Sequence, residues 1–378
     1  MGSWSLRAPQ EGIKSYNRPL MRVLHLFGDW KWTGPSEPTL DLCVELRALG
    51  VDAVLACQPP PPERANSCLA ARARERGLVP LHDFRLERSI SLVKNLDDIK
   101  KIADACRDVD ILHVHFSHDH VVGGLGARRS GRAKIIRTNH KAVPTPRHPG
   151  TSYLYKKLTD GYITPSRVAL DADVAKFGLR GWHVDPAMRL DRFAPREAPH
   201  DGFILGVVAR MQRHRRFDIL LQGVKLARVP DLKVLIVGRG THMEEVAVRP
   251  AKELGLSNVT FTGYLADKYL DTLASFDALL FLVPGSDGTC RAIREAMAMG
   301  RAVIGARRGM IPEIVDHGRT GLVIDDTPEN IARAIEELAA DRARCRALGA
   351  AGREKALQLY DAKRQAAAVK AVYEQLLG

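Results

Sequence analysis

The chain has 378 residues, a length that suits two or three domains of about 150 residues each. Hydrophobic residues make up 45% and charged residues 27%, which excludes wholesale disorder, and no run approaches the ~18 apolar residues that a membrane-spanning helix needs. Lys and Arg outnumber Asp and Glu by 57 to 44; a charge of +13 favours anionic partners such as nucleic acid, acidic headgroups or phosphorylated ligands, though an arginine-heavy composition alone gives the same excess.

The first twenty residues, MGSWSLRAPQEGIKSYNRPL, lack an apolar segment and read as a polar lead-in, not a signal peptide. Arg22–Phe27 is a short apolar run stopped by Gly28, a buried-strand pattern. From Pro38 to Leu49 the apolar residues recur at helical spacing, and Gly50 follows as a cap. Val51–Cys57 is a second strand, so a βαβ unit and a parallel sheet are expected. Further strands follow at Asp110–Phe116, Lys134–Thr138 and Gly161–Thr164, with a loop through Pro144, Pro146 and Pro149. The polar stretch Ala194–Asp201 reads as a linker. Beyond it a second series alternates strands at Phe203–Ala209, Lys233–Val237, Val259–Thr262, Ala278–Val283, Ala302–Ala306 and Gly321–Ile324 with helices, and Leu348–Leu377 forms one or two long helices. Two parallel α/β domains imply a ligand cleft between the carboxyl ends of their sheets.

Six scattered cysteines (Cys43, Cys57, Cys68, Cys106, Cys290, Cys345) contain no CxxC pair, so neither a disulfide framework nor a zinc ribbon fits; a reducing cytosol is the expected setting. Two constellations point to phosphate chemistry. Arg210, Arg213, Arg215 and Arg216 follow directly on a strand, where guanidinium groups meet ligands, although a solvated basic loop reads the same way. Pro284–Gly300 runs from a strand through Gly, Ser, Asp and Gly into a helix starting near Thr289. Its free N–H groups suit a diphosphate, the alternative being a structural glycine turn. Asp287 and Glu295 stand eight residues apart on this segment, able to accept from sugar hydroxyls if both face the cleft.

These motifs resemble the retaining glycosyltransferases of family 4, which have the two-domain GT-B fold. The similarity rests on D-x7-E (Asp287, Glu295) followed by AMAMGRAVIG, on ARMQRHRRFDILLQG, VGRG, FTGYL and GMIPEIVDHGRTGLVI, which span most of the second half. More weakly it rests on TGPSEPTLDLCVELRALG, DILHVHFSHDH and IIRTNH in the first. The resemblance implies an acceptor-binding domain at 21–195, a nucleotide-sugar domain at 202–355, and a last helix at 356–378 returning to the first domain. It implies that Arg210 and Arg215 neutralise the leaving diphosphate, that Glu295 holds the ribose, and that Asp287, where the family has Glu, meets the transferred sugar. Gly34, Gly238, Gly288, Thr289 and Cys290 would approach the donor, Tyr264 and Leu265 its base, and His140 the sugar. A donor of UDP-sugar or GDP-sugar is implied, with no cofactor and no metal, since fixed cations and oriented N–H groups serve in place of one.

Two departures bear on this. Asp287 is one methylene shorter than Glu, which touches sugar choice. Val184–Phe193 carries Pro186-Ala187 and Arg189 where the family has a PNGVD-like turn, which touches interdomain geometry. Asp325-Asp326 reads as a helix cap and not a metal site. His113–His120 superficially resembles the HxHxDH zinc signature of metallo-β-lactamases, but Ser117 stands where that register needs His; cleft-lining polar residues are expected instead. Met297 and Met299 read as core. Arg85–Lys101 alternates charged and apolar residues, a plain surface helix or a basic patch for acidic lipid. The expected activity is sugar transfer with retention to a glycan or lipid-linked acceptor in cell-envelope synthesis, such as lipopolysaccharide, at the cytoplasmic membrane face. A nucleotide-sugar epimerase, or a non-catalytic binder of nucleotide-sugar or nucleic acid, is the alternative; specific nucleic-acid binding is not expected.

Overall fold

The apolar run Arg22–Phe27 becomes the second strand of a six-stranded parallel sheet. The structure is a computed structural model that describes residues 20–88, 91–196, 198–265, 267–284 and 289–378. Its first sheet holds β1 (Arg22–Phe27), β2 (Asp52–Cys57), β3 (Ile111–Val114), β4 (Lys134–Thr138), β5 (Gly161–Thr164) and β6 (Gly181–His183), in the order 2-1-3-4-5-6. The central strands are buried along most of their length and not alternating because helices cover both faces. The helices are α1 (Ser36–Ala48), α2 (Leu69–Glu75), α3 (Leu92–Ala105), α4 (Ser117–Ser130), α5 (Pro149–Lys157) and α6 (Arg167–Phe177). One face buries Leu42 and Leu46 of α1, the other Ile102 of α3 and Val122 of α4.

The second sheet repeats the plan with β7 (Phe203–Val208), β8 (Leu232–Val237), β9 (Val259–Gly263), β10 (Ala278–Phe281), β11 (Ala302–Ala306) and β12 (Leu322–Ile324), in the order 12-11-10-7-8-9, all parallel. Its helices are α7 (Phe217–Leu226), α8 (Arg249–Glu253), α9 (Tyr269–Ala274), α10 (Arg291–Ala298), α11 (Ile311–Ile314), α12 (Pro328–Ala340) and α13 (Arg342–Leu359). A last helix, α14 (Ala362–Leu377), leaves this half. It lies on α1, where Val369, Val372 and Tyr373 join the core of the first sheet. Met297 and Met299 are buried in the second core. The chain reverses its direction of growth between β1 and β3 and again between β7 and β10. Ligands bind at such switch points, outside the carboxyl ends of the strands.

One strand adds to those expected and two local expectations change. Gly181–His183 is a strand that its three half-buried residues do not announce. Pro149 opens α5 instead of lying in a loop, because the first helical position needs no N–H and suits the ring's fixed φ. Thr327, not the Asp pair before it, caps α12 through its side chain on the Asn330 N–H, while Asp326 pairs with Arg308 at 2.8 Å and Arg216 at 2.7 Å.

The segment carrying Pro186-Ala187 is fastened by a buried cation. Arg294, 1% exposed, donates from Nη1 to the Pro186 carbonyl at 2.6 Å, and Met188 N–H bonds the Tyr360 carbonyl at 2.9 Å. Met188 and Phe193 sink into the second core. The unusual turn therefore carries its own anchor.

Candidate functional site

Loops at the carboxyl ends of both sheets enclose a cleft of about 1850 Å³. From the first sheet it takes Gly34, His115, Phe116, Arg137 and His140, and from the second Arg210, Arg215, Gly238, Tyr264, Cys290 and Glu295. Nearly all the sequence candidates thus meet in one place. Asp287 and Gly288 lie outside the described residues. Thr289 is buried just behind the cleft wall, its carbonyl accepting from Arg294 Nε at 3.2 Å.

The loop after β7 is shaped by two glycines of the loop after β8. A Cβ on Gly238, which sits at φ +137°, would lie 2.1 Å from the Ala209 carbonyl oxygen, and one on Gly240 would lie 1.9 Å from that of Met211. Only bare backbone lets the two loops touch. The contact sets Arg210 at the cleft surface, exposed and with no hydrogen bond or ion pair among the described residues. Arg215 is steadier, donating from Nη1 to the Val283 carbonyl at 2.7 Å. Of the other two arginines in this run, Arg213 pairs with Glu245 at 2.9 Å and Arg216 with Asp326, so they are structural.

Helix α10 begins at Arg291, two residues later than expected. Cys290 before it is buried and holds φ +49°, a left-handed conformation rare for a residue with a Cβ. Glu295, 5% exposed, accepts from Arg291 Nε at 2.7 Å and from the Tyr269 hydroxyl. Arg291 also reaches Glu37 of α1 at 2.6 Å, and Glu37 receives Arg192 at 3.1 Å and Arg76 at 3.4 Å. Burial works to raise the Glu37 pKa, but these three guanidinium groups outweigh it and hold the carboxyl below its ordinary value. The sequence reading missed Glu37, Arg291, Arg192 and Tyr269. Arg291 and Glu295 at i,i+4 was the available signal; nothing local marks Tyr269.

From the first-sheet wall a chain of histidines runs inward. His115 Nδ1 shares a hydrogen bond with His140 Nε2 at 3.0 Å, and His115 Nε2 one with His25 Nδ1 at 3.1 Å. His113 bonds Tyr373 of α14 and Thr138, both at 2.6 Å. The rings of His113 and His115 stack at 4.6 Å because the extended backbone runs one residue past β3 and alternate residues face one way. Burial depresses all four, His25 and His140 to about 3, so the chain is neutral at physiological pH. His25, His113 and His115 bring ring nitrogens within 4.8 Å of one another, close enough to hold a metal ion. Their ring nitrogens already have partners in one another, Tyr373, Thr138 and His140. Of the HVHFSHDH run, His115 and His118 line the cleft, His115 while itself buried, whereas His113 and His120 are buried away from it.

Residues 189–355 match the family described as Glycosyl transferases group 1, and residues 34–186 the family described as Glycosyltransferase Family 4. A GDP-mannose-dependent alpha-(1-6)-phosphatidylinositol monomannoside mannosyltransferase of Mycolicibacterium smegmatis is 29% identical over 267 residues, 61% of this chain and 67% of that one. Its Mycobacterium tuberculosis namesake is 39% identical over 139 residues, 34% of this chain and 35% of that protein, so the chain spans about a third of that relative. Among solved structures, HepE of Anabaena in complex with UDP superposes with a TM-score of 0.80 at 17% identity, covering 94% of this chain and 100% of that one. The fold they share is GT-B.

Proposed function

The chain belongs to the glycosyltransferases of family 4 and group 1, and on that premise we propose that it moves a sugar, with retained configuration, from a UDP- or GDP-sugar on the second sheet to a glycan or lipid-linked acceptor on the first. The observation that carries this reading is Arg210, a cation at the cleft surface with no hydrogen-bond or ion-pair partner among the described residues, in the same loop after β7 as the anchored Arg215. When the bond between sugar and diphosphate breaks, negative charge grows on the leaving oxygens. The anchored Arg215 guanidinium stabilises that charge without reorganising, and Arg210, free of a competing partner among the described residues, turns to it as well.

Glu295 would take the ribose. A carboxylate offers about four acceptor sites, and Arg291 and Tyr269 leave room for hydroxyl donors. Gly238, Cys290 and Gly34 bring backbone close to the phosphates, and Tyr264, 70% exposed, offers its ring to the base. His140, neutral and tied to His115, presents a polar edge beside the sugar without adding a charge that would compete with the arginines. Retention follows from attack on the face the diphosphate leaves, its oxygen taking the acceptor proton.

A membrane-face setting is supported by α3. Leu92, Val93 and Leu96 are exposed there beside Lys100 and Lys101, while no helix among the described residues is long and apolar enough to cross a bilayer. The test is sugar transfer from a panel of UDP- and GDP-sugars to lipid extracts and glycans, with product anomericity read by NMR. Turnover that requires an acceptor and gives the donor's own anomer supports the reading. Conversion of the nucleotide-sugar without acceptor would make the protein an epimerase, and inverted product would remove the retaining step.

A further inference from the structure

Arg137 is a buried cation without an anion. It is 7% exposed, and its Nε and Nη1 are buried with no hydrogen-bond partner. It makes no ion pair with any carboxylate among the described residues. A guanidinium in this state is costly, so such groups are normally paired or kept for a ligand. Asp119 in the first turn of α4 lies within its electrostatic reach, but that carboxyl is itself fully buried. Burial pushes Asp119 up to about 7, with the Gly28 N–H and Arg137 pulling it back, so it neutralises Arg137 only in part.

Placement tells what the cation is for. Arg137 stands beside Val114, the last residue of β3, and three residues further on α4 begins at Ser117 with no side-chain cap. The unpaired N–H groups of that fourteen-residue helix and its positive dipole end therefore lie at the same strand ends as Arg137. Ser117, His118 and Arg137 all line the cleft, as do Lys141 and Arg88, whose guanidinium lies 5.1 Å over the Phe116 ring. This wall belongs to the first sheet, opposite Arg210 and Arg215. A donor diphosphate held by those two leaves Arg137 unanswered.

We infer that Arg137 and the N-terminal turn of α4 form an acceptor-side anion subsite, and that the acceptor carries a phosphate, as a monoester or diester, which they hold. The inference rests on the transferase reading for the word acceptor; the anion subsite itself does not.

The experiment is a calorimetric titration of inorganic phosphate into the full chain, with and without saturating UDP or GDP to fill the donor site. Wild type is expected to take one phosphate with the nucleotide bound. Arg137→Met should bind it roughly tenfold or more weakly, the size of one charge-assisted hydrogen bond, with nucleotide affinity unchanged. Arg137→Lys, which keeps the charge and loses the fork, should fall between and serves if the Met variant does not fold. Phosphate affinity equal in wild type and variants, or no phosphate uptake by the nucleotide-bound wild type, overturns the subsite. Failure of wild type to bind any nucleotide would instead overturn the donor reading, and the nucleotide-free titration still decides the subsite. Two further arms identify the source. Glycerol 3-phosphate competing with phosphate marks a soluble phosphorylated acceptor. Phosphatidylcholine vesicles competing only when they contain phosphatidylinositol mark a lipid headgroup.

Discussion

Glu37, at the start of α1, and Arg291, at the start of α10, meet at 2.6 Å and tie the loops of one sheet to those of the other. The same Arg291 holds Glu295, so the carboxylate expected to take the ribose is linked through one guanidinium to the opposite wall of the cleft. Glu37→Gln keeps the size of the side chain and removes its charge. It should enlarge the radius of gyration in small-angle scattering without nucleotide and lower the melting temperature, because Arg291, Arg192 and Arg76 then face a neutral group. An unchanged scattering profile and melting point would mean the ion pair is incidental.

Arg210 should divide activity from stability. Its side chain is exposed and unpartnered among the described residues, so Arg210→Ala should move the melting temperature very little, within the ~0.5 kcal/mol typical of such surface changes. Transfer should nonetheless fall by about 10²–10³-fold, the usual loss for one transition-state donor. Glu295→Ala should abolish transfer too, with a larger stability cost, since it strands Tyr269 and half of Arg291. Near-normal turnover in the Arg210 variant would remove it from the site.

Acid sensitivity should come from histidines before carboxylates. His25, His113, His115, His120 and His140 are all held below the ordinary 6.5, chiefly by burial. The unfolded chain takes up protons below pH 6.5 that the folded chain refuses, for His25, His120 and His140 until about pH 3. The histidine contribution to stability is therefore intact above pH 6.5 and is lost as the pH falls through that window, while the raised carboxyls of Asp119 and Asp41, held protonated in the fold to about 7 and about 6, offset part of that loss. Melting temperature against pH should bend downward near pH 6. His120→Gln, whose amide can still donate to the Leu158 carbonyl, should flatten the slope by one proton. A wild-type melting temperature constant down to pH 5 would contradict the buried neutral chain.

How much of this could be read beforehand follows from how local each feature is. Strands such as Arg22–Phe27 and Lys134–Thr138 were legible to the residue because both faces of a parallel sheet are buried, so each carries a short apolar core bounded by polar residues. Gly181–His183 was not, being a short edge strand with no apolar run. Arg210, Arg215 and Glu295 were legible as motif residues, and the structure gathers them with Gly34 and His140 around one cleft. Glu37, Tyr269 and Arg137 were not, because their partners, or the lack of them, are set by elements far along the chain. Tyr269 meets Glu295 across 26 positions and Glu37 meets Arg291 only when the halves face each other. Arg137 sits inside the quoted stretch IIRTNH, where its significance is the absence of a counter-ion, and no sequence pattern records an absence.

The two glycines after β8 give a sharper test of how Arg210 is placed. At Gly240 a Cβ would stand 1.9 Å from the Met211 carbonyl oxygen and 2.5 Å from its carbon, so the obstacle is backbone that no side-chain rotation relieves. Gly240→Ala must therefore displace the segment after β7, and Arg210 is the residue before Met211. Donor affinity should fall by about tenfold or more in a nucleotide titration, although Gly240 itself is uncharged. Gly255 is the control. It holds φ +67° with open space around its Cβ position, so Gly255→Ala carries only the left-handed strain, about 1–2 kcal/mol, and sits away from the cleft lining. If both alanine variants lose stability but only Gly240→Ala loses nucleotide, loop contact places Arg210. If Gly240→Ala binds donor as wild type does, the position of Arg210 is set by something other than this contact.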